Sequence, residues 1–354
     1  MNYNRAWGAT VNLEHLLPPI QALLDDPAMT DLNINGVGEG MAFLMRGRGK
    51  ERITLPFTLD DLEDIAINAA ALNQGTDVAD DAPFAEGVLP GGHRVQIARS
   101  PATKDDVIAL SFRKPKSRTP TMAELKAQGV FSKPRPIRSV HRRHRPELVR
   151  AMRERDFYSL VVGAAECGLN LDLVGAQRAG KSHVLRAATT SVLPDRRTVT
   201  VEDMSEAINL HQWDVLNLFY SKDGKGSSAH TADTCVEAAL RMASRLLIVQ
   251  ELRDGAAFSC LAARMAGLQT FTTYHANSPA EAPDRMRSMV KMHPKGVHRG
   301  DADVMADVMA TTDVIVYCED AGNDEFLVTD AYYDPGIQER AAEALDKQGG
   351  GDAV

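Results

Sequence analysis

Apolar positions in the first part of the chain alternate between two periods. The stretch from Leu13 to Leu24 reads as an apolar helix, and Leu32 and Ile34 then alternate with polar neighbours as in a strand. Short β-segments follow, with Gly47 and Gly49 marking a hairpin turn. Thr58, three residues before Asp61, opens a second helix whose Leu62, Ile65, Ala66, Ala69 and Leu72 fall on one face. Two more strands carry arginines. In HRVQIA, Val95 and Ile97 share one face while Arg94 and Gln96 share the other; in VIALSFR, Ile108, Leu110 and Phe112 lie opposite Val107, Ser111 and Arg113. This pattern predicts an amino-terminal α+β domain over residues 1–114. Read by strand pattern alone, Arg94 and Arg113 are equally consistent with solvated side chains on the open face of a sheet.

Further along, the pattern changes to strand, glycine-containing turn, helix, strand, which predicts a mostly parallel sheet covered by helices over 147–337. Between the two patterns, residues 113–150 carry 12 Lys or Arg against only Glu124 and Glu147, together with five prolines. Runs such as SKPRPIRSVHRRHRP cannot sustain a long helix and bury almost nothing apolar, so 115–146 reads as a basic linker. It is either a solvated hinge or a segment attracted to anionic lipid, nucleic acid or a partner. Residues 338–354 read as a helix that fades into the tail GGGDAV.

Composition narrows the class. The formal net charge of −8 conceals a local excess of ten positive charges in the linker region, and the rest of the chain is correspondingly acidic. With 44% hydrophobic and 25% charged residues, 354 residues suit two globular domains and exclude a collagenous, low-complexity or wholly disordered chain. No apolar run approaches the ~18 residues of a membrane-spanning helix, and the first residues lack a signal-peptide pattern, so a cytoplasmic location is expected. Cys167, Cys235, Cys260 and Cys318 show no C-x-x-C pairing, which argues for reduced, mostly buried thiols.

The sharpest chemical signal is GAQRAGKS, from Gly175 through Gln177, Arg178, Ala179, Gly180 and Lys181 to Ser182, with His183 next. It satisfies G-x-x-x-x-G-K-[ST]; the apolar Leu169, Leu171, Leu173 and Val174 lead into it, and HVLRAATTSVL leaves it as a helix. Successive loop N–H groups and the positive end of that helix form an anion site, where Lys181 would neutralise β- and γ-phosphates and Ser182 would place its hydroxyl on Mg²⁺. Downstream, LLIV ends in Gln250 and Glu251, VTVED ends in Glu202 and Asp203 with Glu206 beyond, and TFTTY delivers His275 into a turn before Ser278 and Glu281, which are read as capping the next helix. Acidic strand ends alone are equally compatible with helix caps or solvation. Several polar groups on one carboxyl edge match where open α/β sheets bind ligand.

LVGAQRAGKS, TVEDMSEA, LRMASRLLIVQELRDGAAF and TTYHANSP resemble the Walker A, Asp box, Walker B and His box of the type II/IV secretion ATPases. ELRDGAAF, TMAELKAQGVF, TDLNING and ALSFRKP look most like the traffic ATPases of type IV secretion and conjugation machines, so the resemblance covers nearly the whole chain. It implies an α/β architecture in which a RecA-like phosphate-loop domain follows the smaller α+β domain. It further implies Mg²⁺-dependent ATP hydrolysis by a homo-hexameric ring, peripheral on the cytoplasmic face of the inner membrane and engaging other inner-membrane and ATPase components of a secretion machine, with nucleic acid not expected as a direct ligand. Carried over to this chain, Lys181 and Ser182 are the phosphate and metal groups and Glu202, Asp203 and Glu206 the Asp box. Glu251 is the Walker B glutamate, His275 the His-box histidine, and Arg94 and Arg113 the amino-domain arginines that reach the phosphates. Asp203 and Glu251 join Ser182 as candidate metal groups. The chain departs from the family pattern at Gln177, Arg178 and Ala179, where the loop is usually rich in small polar residues, and at Gln250, where a glycine usually precedes the glutamate. Two rival readings are a nucleic-acid translocase of similar core and a nucleotide-binding scaffold without turnover.

Overall fold

A computed structural model describes residues 2–46, 49–73, 78–79, 81–115, 121–127, 129, 131, 145–203, 210, 212–220, 230–323 and 325–333. Gly47, Glu206, most of the linker and the 338–354 segment lie outside these residues. The amino-terminal part runs α1 (Asn2–Leu16), α2 (Pro18–Asp25), β1 (Met29–Ile34), β2 (Ala42–Arg46), β3 (Gly49–Ile53), α3 (Leu59–Leu72), β4 (Phe84–Val88), β5 (Arg94–Ala98) and β6 (Ala109–Arg113). Its strands form one antiparallel six-stranded sheet in the order β3-β2-β1-β6-β5-β4. Leu13, Ile20, Leu62 and Ile65 from the helices meet Leu32, Val95, Ile97, Leu110 and Phe112 in one core.

The expected single helix over Leu13–Leu24 is two helices that break at Leu17. Pro18 and Pro19 have no N–H to donate, so Pro18 starts a new helix, and Ile20 N donates to Leu17 O at 2.9 Å. The Thr58–Asp61 signal is realised as a full capping box: Thr58 Oγ1 accepts from Asp61 N, and the Asp61 carboxylate accepts from Thr58 N at 2.8 Å.

A short helix, α4 (Met122–Ala127), stands between the two parts. The carboxyl-terminal part then runs α5 (Pro146–Glu154), α6 (Phe157–Glu166), β7 (Leu171–Gly175), α7 (Lys181–Thr189), β8 (Thr198–Glu202), β9 (Val215–Phe219), α8 (Ala232–Arg241), β10 (Leu246–Val249), α9 (Ala256–Met265), β11 (Gln269–Tyr274), α10 (Ala282–Met292), α11 (Asp301–Thr311), β12 (Val314–Gly322) and β13 (Glu325–Tyr333). The seven strands lie in the order β13-β12-β7-β11-β10-β8-β9, parallel except for the β12–β13 hairpin. Strands β7, β8, β10 and β11 are buried along their whole length, as helices on both faces require. Leu160, Leu185, Leu171 and Ile248 build the core on one face; Val199, Leu247, Val236 and Cys260 build it on the other. Among the described residues no helix is long and apolar enough to cross a membrane.

The second face of the amino-terminal sheet is covered over part of its area, while Arg94 and Arg113 on it are exposed. Gln96 and Ser111, read as the polar side of their strands, are buried, and Ala98 and Ala109 join the core of the carboxyl-terminal part. At this junction Arg197 is 2% exposed and donates to Asp214 Oδ1 (2.6 Å), Asn35 Oδ1 (3.0 Å), Ser111 Oγ (3.2 Å) and Met242 O (2.6 Å). Lys50 forms a second ion pair with Asp214, and burial pushes the Lys50 pKa down. Phe43 packs on Trp213 beside them, ring centres 5.5 Å apart.

Candidate active site

Strand β7 sits between β11, which ends level with it, and β12, which runs on past it into the β12–β13 hairpin. Gly175 closes the strand at φ 146°, where an added Cβ would lie 2.0 Å from Cys318 O. A side chain there would push the loop off the sheet. Gln177 and Arg178 are exposed, Ala179 is buried beneath the loop, and Gly180 at φ 77° delivers the chain into α7. The helix that follows is shorter than HVLRAATTSVL suggests; it ends at Thr189, where the Thr189 and Thr190 hydroxyls donate back to Arg186 O and Ala187 O.

Lys181 opens α7 with its side chain folded over the loop, and Nζ donates to Gly175 O at 3.0 Å and Ala176 O at 2.5 Å. Burial lowers its pKa, while Cys318 and the Glu251 carboxylate act in the opposite direction. Ser182 follows in the same first turn and is half-buried; His183 is exposed.

His275, one residue past β11, places Nδ1 3.1 Å from Gly175 O and Nε2 3.4 Å from Glu251 Oε1. Glu251 lies just past β10, and its carboxylate is also ion-paired with Arg253. That bond raises the Arg253 pKa. Lys181, His275 and Glu251 are therefore linked through the Gly175 carbonyl and one carboxylate, although they come from three different strand ends. Asp203 stands half-buried at the end of β8. Tyr220 beside it has its hydroxyl pKa pushed up to about 12, by burial first and by Asp203 second.

Three expectations need correction. Glu202 does not face the phosphate loop as an open carboxylate: it is 2% exposed and accepts hydrogen bonds from Thr200 Oγ1 and from Asn217 Nδ2 (3.1 Å) between β8 and β9. Alternation puts Glu202 on the same face of β8 as Thr200, where Asn217 of the neighbouring β9 meets both. Arg94 and Arg113 are register partners on β5 and β6, and they share a recess of about 220 Å³ with Glu86 and with Arg241 of α8. The cleft of about 810 Å³ at the phosphate loop is lined instead by Lys181, Ser182, Arg186 and the β12–β13 hairpin. Strand β6, which carries Arg113, also carries Ser111, an acceptor for Arg197, and the two arginines line that recess and not the cleft at the loop. Ser278 Oγ does accept from Glu281 N at 3.2 Å, but one residue before α10 begins, and the Glu281 carboxylate takes Asn277 Nδ2 rather than a helix N–H.

Two side chains at the site were not singled out in the sequence. Arg253 had a faint signal, a cation two residues after the strand-end glutamate. Phe326 had none, because it reaches the loop from a distant hairpin.

Among the described residues no three His, Cys, Asp or Glu side chains converge as a ready metal cage. The oxygen donors present, the Ser182 hydroxyl with the Asp203 and Glu251 carboxylates, fit a hard cation such as Mg²⁺ that takes most of its ligands from phosphate and water.

A family profile described as "Type II/IV secretion system protein" matches residues 156–323. The type IV secretion system protein VirB11 of Bartonella quintana is 30% identical over 334 residues, covering 90% of this chain and 92% of that protein. Protein VirB11 of Agrobacterium fabrum is 31% identical over 310 residues, covering 86% and 88%. In fold, the crystal structure of the VirB11 ATPase from the Brucella suis type IV secretion system, in complex with sulphate, matches with a TM-score of 0.86 at 24% identity, covering 96% of this chain and 99% of that one. Full-length similarity at this level, on a chain whose phosphate loop, strand-end glutamate and histidine meet at one sheet edge, means that the chain belongs to the VirB11 family of type IV secretion ATPases.

Proposed function

We propose that this chain hydrolyses Mg-ATP as a subunit of a homo-hexameric ring, docked on the cytoplasmic face of the inner membrane, and that it powers substrate transfer or pilus biogenesis in a type IV secretion machine. The observation that carries the chemical part is the junction at Gly175 O, which takes both Lys181 Nζ and His275 Nδ1 while His275 reaches Glu251.

In this reading the loop N–H groups from Gln177 to Ser182 and the start of α7 hold the β-phosphate. Lys181 leaves the loop carbonyls for the β- and γ-phosphates, a stronger acceptor set for an ammonium whose burial already disfavours its charge. Ser182, Asp203 and Glu251 are the residues that would hold Mg²⁺, which would supply charge neutralisation at the phosphate oxygens. Glu251 orients and deprotonates the attacking water, and His275 couples that carboxylate to the loop. Glu202 positions the β8 edge through Thr200 and Asn217, and Glu206 stays a member of the Asp box by resemblance alone. Arg94 and Arg113 contact the phosphates of an adjacent copy in the ring.

The test is phosphate release by the purified full-length chain with ATP, in Mg²⁺ and again in EDTA, alongside a native mass measurement. Mg²⁺-dependent turnover by a six-chain species supports the reading. A chain that binds ATP tightly without turnover, or that turns over only on added DNA or RNA, would replace it with the scaffold or translocase reading.

A further inference from the structure

Gly180 and Phe326 are packed so closely that neither can be understood alone. A Cβ on Gly180 would fall 2.2 Å from the Phe326 ring, so the loop's last glycine is required both by its positive φ and by this aromatic side chain. Phe326 belongs to β13, the return strand of the β12–β13 hairpin, whose described tip residues are exposed. Its ring lies 5.5 Å from that of His183, tilted by 36°, and His183 directly follows Ser182 in the first turn of α7. The ring lies against Gly180 and still lines the cleft with 38% exposure.

A cleft of about 810 Å³ is large enough for a whole nucleotide. Its chemistry is uneven. The loop presents backbone N–H groups and Lys181, which suit phosphates; the hairpin adds Asp320, Asn323, Glu325 and, against Gly180, the Phe326 ring. A nucleoside triphosphate anchored by its phosphates at Lys181 must extend its ribose and base out of the loop, and the hairpin is the wall it meets.

We propose that Phe326 is the base platform of this ATPase: the base stacks on its ring, with His183 flanking, so that the hairpin makes nucleoside triphosphates bind better than the bare polyphosphate chain. This rests on the reading of the loop as a nucleotide site. Stacking needs a flat face more than any specific hydrogen bond, so the preference is for the larger purine surface over a pyrimidine. Base–aromatic stacking is sequence-tolerant and large enough to shift affinity by about fivefold or more.

The test is equilibrium binding of ATP, CTP and inorganic tripolyphosphate to the full-length chain, which needs no turnover and so is independent of whether the chain hydrolyses ATP. Phe326→Leu keeps apolar bulk over Gly180 but removes the aromatic face; Phe326→Tyr restores the face. The expected result is that Phe326→Leu weakens ATP about tenfold, narrows the ATP-over-CTP preference and leaves tripolyphosphate binding unchanged, while Phe326→Tyr stays within about twofold of wild type. Equal weakening of ATP and tripolyphosphate by Phe326→Leu would mean the ring only shapes the loop and would overturn the proposal, as would unchanged ATP affinity. If neither ATP nor tripolyphosphate binds wild type, the nucleotide-site reading itself falls, and the base platform with it.

Discussion

Arg253 holds the Glu251 carboxylate from two residues away, and the same carboxylate faces His275 Nε2 at 3.4 Å. Both partners of the ion pair are partly exposed, so the pair contributes little to stability. Its effect is on orientation. A strand-end carboxylate without this guanidinium can turn toward solvent, and a group acting on water must be fixed to act at all. We predict that Arg253→Gln lowers kcat about tenfold with KM for ATP nearly unchanged, and that Arg253→Lys recovers part of the loss. Steady-state phosphate release decides this; a wild-type kcat in Arg253→Gln would reduce the ion pair to a surface contact.

The residues linked at Gly175 O should fail in different ways. Lys181→Ala removes the buried ammonium at the loop and is predicted to lose both tight ATP binding and turnover. Glu251→Gln keeps the shape and the phosphate contacts, so ATP should stay bound while hydrolysis slows by about 10²-fold or more. His275→Ala should resemble it more mildly. Fluorescent-nucleotide binding measured beside turnover separates the classes, and an equal loss of binding in Glu251→Gln would move that residue to a ground-state contact.

The Arg197 junction is predicted to dominate the stability of the domain arrangement. Asp214 is fully buried and serves two cations at once, so Asp214→Ala leaves both Arg197 and Lys50 without their carboxylate. Breaking a buried pair in this way costs about 3–5 kcal/mol. Lys50→Met should cost far less, because the burial that lowers the Lys50 pKa is a penalty the methionine avoids. Urea unfolding of the three proteins gives the comparison. Similar midpoints for Asp214→Ala and wild type would show that the junction is wet or loosely held.

What could be read from the sequence, and what could not, divides by distance along the chain. The Thr58–Asp61 capping box and the β7-loop-α7 unit are set by neighbours within a few residues, and each is where its local pattern placed it. The break at Leu17 was also local, but the apolar periodicity runs across Pro18 and masks it. Gln96 and Ser111 looked solvent-facing because the surface that covers them comes from the other half of the chain, with Arg197 reaching Ser111 across 86 positions. Glu202 and Phe326 are the same case at the site itself. Alternation along a strand tells which side a residue takes but not whether that side is filled, and no periodicity announces which hairpin residue will touch a distant glycine.

Arg94 and Arg113 lie on the same sheet as Ser111, which, with Asn35 just past β1, accepts a hydrogen bond from Arg197, and Arg241 of α8 lines their recess. To reach the phosphate loop of its own chain, this sheet would have to leave a buried ion-pair network at a cost of about 3–5 kcal/mol. Two charge-assisted phosphate contacts at roughly 1.5–3 kcal/mol each would do little more than offset that. Reaching the loop of an adjacent copy in a ring carries no such cost. We therefore predict that the double variant Arg94→Ala/Arg113→Ala folds normally and loses ATPase activity at least tenfold, and that Lys181→Ala is likewise inactive. Mixed in equal amounts, unfolded together and refolded into common rings, the two inactive chains should recover about a quarter of wild-type activity, because a random ring pairs an intact loop with an intact neighbouring arginine pair at one site in four. Arginines acting on their own chain's loop would give no recovery, since every intact loop would then sit on a chain that lacks them. Mixed rings that form, as shown by native mass measurement, yet stay inactive would return both arginines to their own chain and require the Arg197 junction to open during turnover.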